Sequence, residues 1–127
     1  MISVLAVDDN LIHCYAISKV LERNGFSVRT ANTGTAALEI IKQEVPDVVL
    51  LDINLPDLSG FQVCERLRRD PGTHDVAVVF HTATSANEAA RVHATMVGGD
   101  AFLTYPVDQE HLNSVIQGCV ARHRRVH

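Results

Sequence analysis

Val48-Val49-Leu50-Leu51-Asp52 is the stretch that decides the fold: an unbroken apolar run that ends on a carboxylate. Short apolar runs rich in β-branched residues recur at Ile2–Val7, Val76–Phe80 and Ala101–Leu103. Continuous runs of this length suit strands covered by helices on both faces. The segment from Phe26 to Ala31 alternates apolar and polar residues instead, which predicts a half-exposed edge strand.

Helical spacing fills the intervals. Leu112, Val115, Ile116, Cys119 and Val120 follow i, i+3, i+4, i+7, i+8 and predict an amphipathic last helix. Ala36, Ala37, Ile40 and Ile41 give the second helix its apolar stripe, and Ile12, Tyr15, Ala16 and Val20 give the first one. Gly25 after Asn24, Pro46 and Pro71 mark helix exits. Five strands alternating with five helices, joined by right-handed crossovers, predict a doubly wound α/β fold with a five-stranded parallel sheet of order 2-1-3-4-5. That order puts the alternating second strand at an edge.

The chain has 127 residues, which fits one domain with a full core. A formal charge of −4 argues against a sequence-independent grip on nucleic acid, and the basic run Arg122-His123-Arg124-Arg125 reads as a solvated helix end. Cys14, Cys64 and Cys119 are odd in number and far apart, so reduced, buried thiols are expected rather than disulfides or zinc ligands. No apolar stretch approaches the roughly 18 residues needed to span a bilayer, and a cytoplasmic protein is expected.

In a doubly wound sheet, ligands bind beyond the carboxyl ends of the strands at the switch point, here between the first and third strands. Asp8, Asp9 and Asp52 fall there. Unit charges about 4 Å apart repel by about 4 kcal/mol at an effective dielectric near 20, so three converging carboxylates call for a cation. Magnesium suits hard oxygen ligands and is commonly shared with a phosphate. A carboxylate beside it can itself accept a phosphoryl group, and Asp52, at the sheet centre without an adjacent acid, is the candidate. Asp8, Asp9 and Asn10 also suit N-cap duty for the first helix, a reading that Asp52 weakens.

Four segments in order then carry a resemblance. They are Val7-Asp8-Asp9-Asn10, the run from Leu51 to Gly60, His81-Thr82-Ala83, and the run from Gly98 to Pro106. With these the chain resembles a response-regulator receiver domain, the phosphoacceptor unit of two-component signalling, over residues 1–122, with 123–127 as a basic tail. The resemblance implies a flavodoxin-like (βα)5 fold and Asp52 as phosphoacceptor. It implies magnesium held directly by Asp9 and Asp52, through water by Asp8, and by the backbone carbonyl of Asn54. Thr82 resembles the switch hydroxyl and Phe102 the switch aromatic, while Asn54 and Thr84 lie where the family tunes hydrolysis. The implied partners are a sensor histidine kinase or phosphotransfer protein and a downstream output protein or domain, with a homodimer as a further expectation.

Tyr105 departs from the pattern, which has Lys before this Pro. A hydroxyl offers one neutral donor where an ammonium offers three and a full charge, so a loss of about 1–3 kcal/mol in holding a phosphoryl group is expected. Two versions follow: a receiver phosphorylated on Asp52 that couples weakly, and a phosphorylation-independent pseudo-receiver acting as an interaction adaptor. Rival classes fit less well. A flavin carrier needs a glycine- and hydroxyl-rich phosphate loop where Asp8-Asp9-Asn10-Leu11 stands. An aspartyl phosphatase needs a proton-exchanging acid where Asn54 stands, so no enzyme beyond self-phosphorylation from a donor and slow self-dephosphorylation is expected. His81 reads as a strand-end histidine with a satisfied hydrogen bond, and only His123 and His127 show even weak ligand spacing among the other histidines.

Overall fold

A computed structural model of the chain describes residues 1–82 and 87–126, with side chains as far as His123. The elements alternate strictly: β1 (Ser3–Val7), α1 (Leu11–Arg23), β2 (Ser27–Ala31), α2 (Gly34–Gln43), β3 (Val48–Asp52), α3 (Gly60–Arg69), β4 (Ala77–Thr82), α4 (Glu88–Met96), β5 (Ala101–Thr104) and α5 (Gln109–Val126). The strands are parallel and ordered β2-β1-β3-β4-β5, as the apolar pattern requires, with β2 at one edge. Helix α5 continues past residue 122 to Val126. Residues 83–86 and 127 lie outside the described residues, and with them Ala83 and Thr84 of the family pattern and His127.

Side chains alternate across a strand, so each strand feeds two cores. Val4, Ala6, Val48, Leu50, Ala77 and Val79 pack towards Ile17, Leu21, Leu112 and Ile116 of α1 and α5. Leu5, Val7, Val49, Leu51, Val78 and Phe80 pack towards Ala37, Ile41, Val63 and Leu67 of α2 and α3. Leu21, Ile41, Leu50, Leu51 and Ile116 are fully buried, each stabilising the fold by about 1.5–3 kcal/mol. The three cysteines are free and buried, as expected.

Two expectations need correction. The inward stripe of α1 is Cys14, Ile17, Ser18 and Leu21, whereas Ile12 is 84% exposed, Tyr15 64% and Leu11 68%. The apolar residues of α1 supply two stripes, and packing on β1 and β2 selects the one that includes Ile17 and Leu21. Strand β5 is also less covered than its apolar run suggests: only Leu103 is buried, because β5 closes the second edge of the sheet and lacks a strand neighbour beyond it.

Candidate functional site

The strand registers place the site. Val7 pairs with Leu51, Leu51 with Phe80 and Phe80 with Phe102, while the next row pairs Asp52 with His81 and His81 with Leu103. Asp8 lies one residue beyond Val7, so Asp8, Asp52 and His81 arrive on successive neighbouring strands at the carboxyl end of the sheet. Their parity is that of Ala6, Leu50 and Val79, which face α1 and α5. The α3 chain entry closes in from the other side. A side chain on Gly60 would put its Cβ 2.3 Å from the Asp52 carbonyl oxygen, and the Gly60 N–H donates to Ile53 O at 2.8 Å.

Carboxylate oxygens of Asp8, Asp9 and Asp52 lie within 4.8 Å of one another. Asp8 is buried, Asp9 exposed and Asp52 between them. Burial pushes the Asp52 carboxyl up to about 6, helped by the charges of Asp8 and Asp9 and opposed by the Asn54 N–H that donates to it at 3.0 Å. Among the described residues neither Asp9 nor Asp52 has a cationic side chain within ion-pair distance. Three hard oxygen donors crowded together fit magnesium.

The N-cap reading is only partly right. Asn10 alone caps α1, its side-chain oxygen accepting from His13 N at 3.0 Å. Asp8 instead accepts from Asn10 N at 2.9 Å and is hydrogen-bonded to His13 Nδ1, and its backbone carbonyl accepts from Asn32 Nδ2 at 2.9 Å. This network aims Asp8 while leaving Asp9 free.

Thr82 ends β4 and is buried, its carbonyl accepting from Tyr105 N at 2.9 Å. Phe102 is half-buried under the Arg91 guanidinium, 4.8 Å from its ring centre. Tyr105 folds back against the α1 and α5 core, where its hydroxyl is buried without a hydrogen-bond partner. Burial, then the charges of Asp8 and Asp52, push that hydroxyl far above the ordinary tyrosine range, so it stays neutral.

His81 contradicts its expectation: it is 1% exposed and its Nε2 has no partner. Burial holds its proton affinity well below the ordinary histidine range, with Asp8 pulling the other way and His13 adding to the drop. The rings of His13, His81 and Tyr105 meet edge to face, with centroids 6.0 Å apart for the two histidines, 4.4 Å for His13 and Tyr105, and 4.9 Å for His81 and Tyr105. The sequence carries a faint signal for this cluster, since His13 sits one helical turn beyond Asp9 and His81 beside a strand-end threonine. His123, by contrast, pairs with Asp100 at 2.9 Å, away from the site.

A doubly wound domain with a carboxylate cluster at its switch point is the class that fold and site define. The chain belongs to the response regulator receiver domains, whose family model matches residues 4–117. It is similar to the protein PilH of Pseudomonas aeruginosa, with 36% identity over 121 residues, 95% of this chain and 99% of that protein. It is 32% identical to the DNA-binding dual master transcriptional regulator RpaA of Synechocystis over 97% of this chain but only 51% of the relative. A solved structure of a putative response regulator from Chloroflexus aurantiacus superposes with a TM-score of 0.89 at 28% identity, covering 94% of this chain and 97% of that one. Receiver domains are in general non-enzymatic signalling domains that bind magnesium in the acidic pocket and work with histidine kinases or phosphotransfer proteins. No helix among the described residues is long and apolar enough to cross a membrane.

Proposed function

We propose that this chain is a phosphoacceptor receiver of a cytoplasmic two-component phosphorelay, with residues 1–122 as the receiver unit and Asp52 as the acceptor. The observation that carries the reading is the cluster of Asp8, Asp9 and Asp52, in which neither Asp9 nor Asp52 has a cationic side chain within ion-pair distance among the described residues. Asp9 and Asp52 would hold magnesium directly, Asp8 through water, and Asn54 through its backbone carbonyl. When bound, the ion lowers the repulsion among the acids and neutralises charge on the transferring oxygens.

The chain's own residues do the rest. An Asp52 carboxylate oxygen forms the new P–O bond, and the bond from phosphorus to the donor breaks with its electron pair leaving on the donor, a kinase or phosphotransfer histidine. Asn54 N–H orients the acceptor carboxylate. Asp8 is braced and aimed by His13 and Asn10. Thr82 and Phe102 then pass the new charge to the β5 side, switching the surface that an output protein, an output domain or a second copy reads. The exposed Leu11, Ile12 and Tyr15 on α1, beside the site, supply apolar surface for the donor.

Intact mass after incubation with a small acyl phosphate tests the proposal. A magnesium-dependent gain of one phosphoryl group, absent in Asp52→Asn, is expected; no gain while magnesium binding is intact defeats it. The adaptor reading is favoured by one observation, the buried, neutral and unpartnered hydroxyl of Tyr105 where a phosphate-pairing ammonium would stand.

A further inference from the structure

Behind the acidic pocket lies a second group of donors with different chemistry. One oxygen of Asp8 and one ring nitrogen each of His13 and His81 lie within 4.8 Å of one another. All three converge from separate elements: the end of β1, the first turns of α1 and the end of β4. A buried imidazole nitrogen without a partner is costly, typically about 1–3 kcal/mol. His81 Nε2 is such an atom, in a residue that is almost wholly inaccessible. A metal ligand role accounts for it.

We propose that Asp8, His13 and His81 form a site for a borderline transition-metal ion of the zinc class, separate from the all-oxygen magnesium cluster and sharing Asp8 with it. Two imidazoles and one carboxylate are a known donor set for zinc, which takes three protein ligands and leaves a fourth position open. Imidazole nitrogen selects against magnesium, which wants oxygen. The ion takes the place of the proton that His13 and Asp8 now share in their direct hydrogen bond. Its second shell is also present, since Asp8 accepts from Asn10 N.

There is a way in. His13 is part-exposed and, with Tyr105, lines a groove of about 520 Å³ between α1 and α5, whose walls are Ile17, Val20 and Leu112. Tyr105, whose ring packs on both histidines, carries a buried hydroxyl without a partner beside them. Because both sites draw on Asp8, an ion held by Asp8, His13 and His81 takes that carboxylate's charge away from the magnesium cluster. A zinc-class ion therefore competes with magnesium and holds the receiver unphosphorylated, which makes the pair a metal-controlled veto on the acceptor.

Cobalt(II) is the probe, since its visible absorption reports imidazole ligation and low coordination number directly. Titration of metal-free protein is expected to give one equivalent of bound cobalt with intense visible bands. Asp52→Asn is expected to keep those bands, which separates this site from the phosphoacceptor proposal. His13→Gln and His81→Leu are each expected to weaken binding at least tenfold and to change the bands. His13 is part-exposed on a helix, so its variant folds even if replacement of the strand residue perturbs the sheet. Absence of the bands in the wild type, their loss in Asp52→Asn, or their persistence at unchanged affinity in both histidine variants overturns the proposal.

Discussion

At the scale of one residue, Tyr105 is the position where the resemblance leads one to expect a Lys. Its ring packs against His13 and His81, but its hydroxyl makes no hydrogen bond. Removal of a group that is buried and unpaired is nearly free, so Tyr105→Phe is expected to change the unfolding free energy by less than about 0.5 kcal/mol, read by urea denaturation. Tyr105→Lys brings back a charge-assisted donor. It is expected to tighten binding of a phosphoryl mimic such as beryllium fluoride by about 1–3 kcal/mol in the presence of magnesium, measured by titration calorimetry. The oddity of Tyr105 was legible only through the resemblance, whose pattern has Lys before this Pro. The unpaired His81 nitrogen was not, since pairing depends on what three other elements bring to the same point.

At the scale of the element, α1 shows both what periodicity can and cannot do. Leu11, Ile12, Tyr15, Ala16, Ile17, Val20 and Leu21 offer more apolar positions than one helix face can hold. The pattern therefore identifies a helix without choosing its inward face, and contact with the sheet makes the choice. Ile17→Ala is expected to cost about 2–4 kcal/mol in the same denaturation measurement, because Ile17 is buried, while Ile12→Ser on the exposed face stays within about 0.5 kcal/mol. The second helix and the last one have single stripes, and there the spacing and the buried faces coincide at Ala37, Ile41, Leu112, Ile116 and Cys119. Gly60 makes a further case. Its missing side chain lets the start of α3 approach the Asp52 backbone, so Gly60→Ala is expected to lower the melting temperature and to weaken magnesium binding together. Sequence alone offers only a glycine before a helix, since the close approach belongs to β3 and α3 jointly.

For the whole molecule, the acidic pocket trades folding stability for chemistry. Asp52 holds its proton more tightly when folded, near 6 against an ordinary 3.8 in the unfolded chain. Its contribution to stability is therefore present in full below about pH 4 and is lost as the pH rises through about 6, leaving a charged, crowded carboxylate at neutrality. Asp52→Asn is expected to raise stability at pH 7.5 without magnesium by about 1 kcal/mol, a figure discounted for the partial exposure of the site, and to show no advantage at pH 4. Saturating magnesium is expected to erase most of the gap by binding the wild type alone. The placement of Asp8, Asp9 and Asp52 together was legible from the chain because strand order follows from alternation, and acids at the ends of buried strands β1 and β3 are then neighbours. The involvement of His13 with Asp8 was not, because it required the turn geometry that Asn10 sets at the start of α1.

The most direct test of the central claim is the location of the phosphoryl group. Protein treated with a small acyl phosphate and magnesium is reduced with borohydride, which converts an aspartyl phosphate to homoserine, and its peptides are then mapped by mass. Homoserine at position 52, dependent on magnesium, is the expected result. An unmodified Asp52 in protein that has nevertheless gained phosphate, with the group found on His13 or elsewhere, would contradict the account.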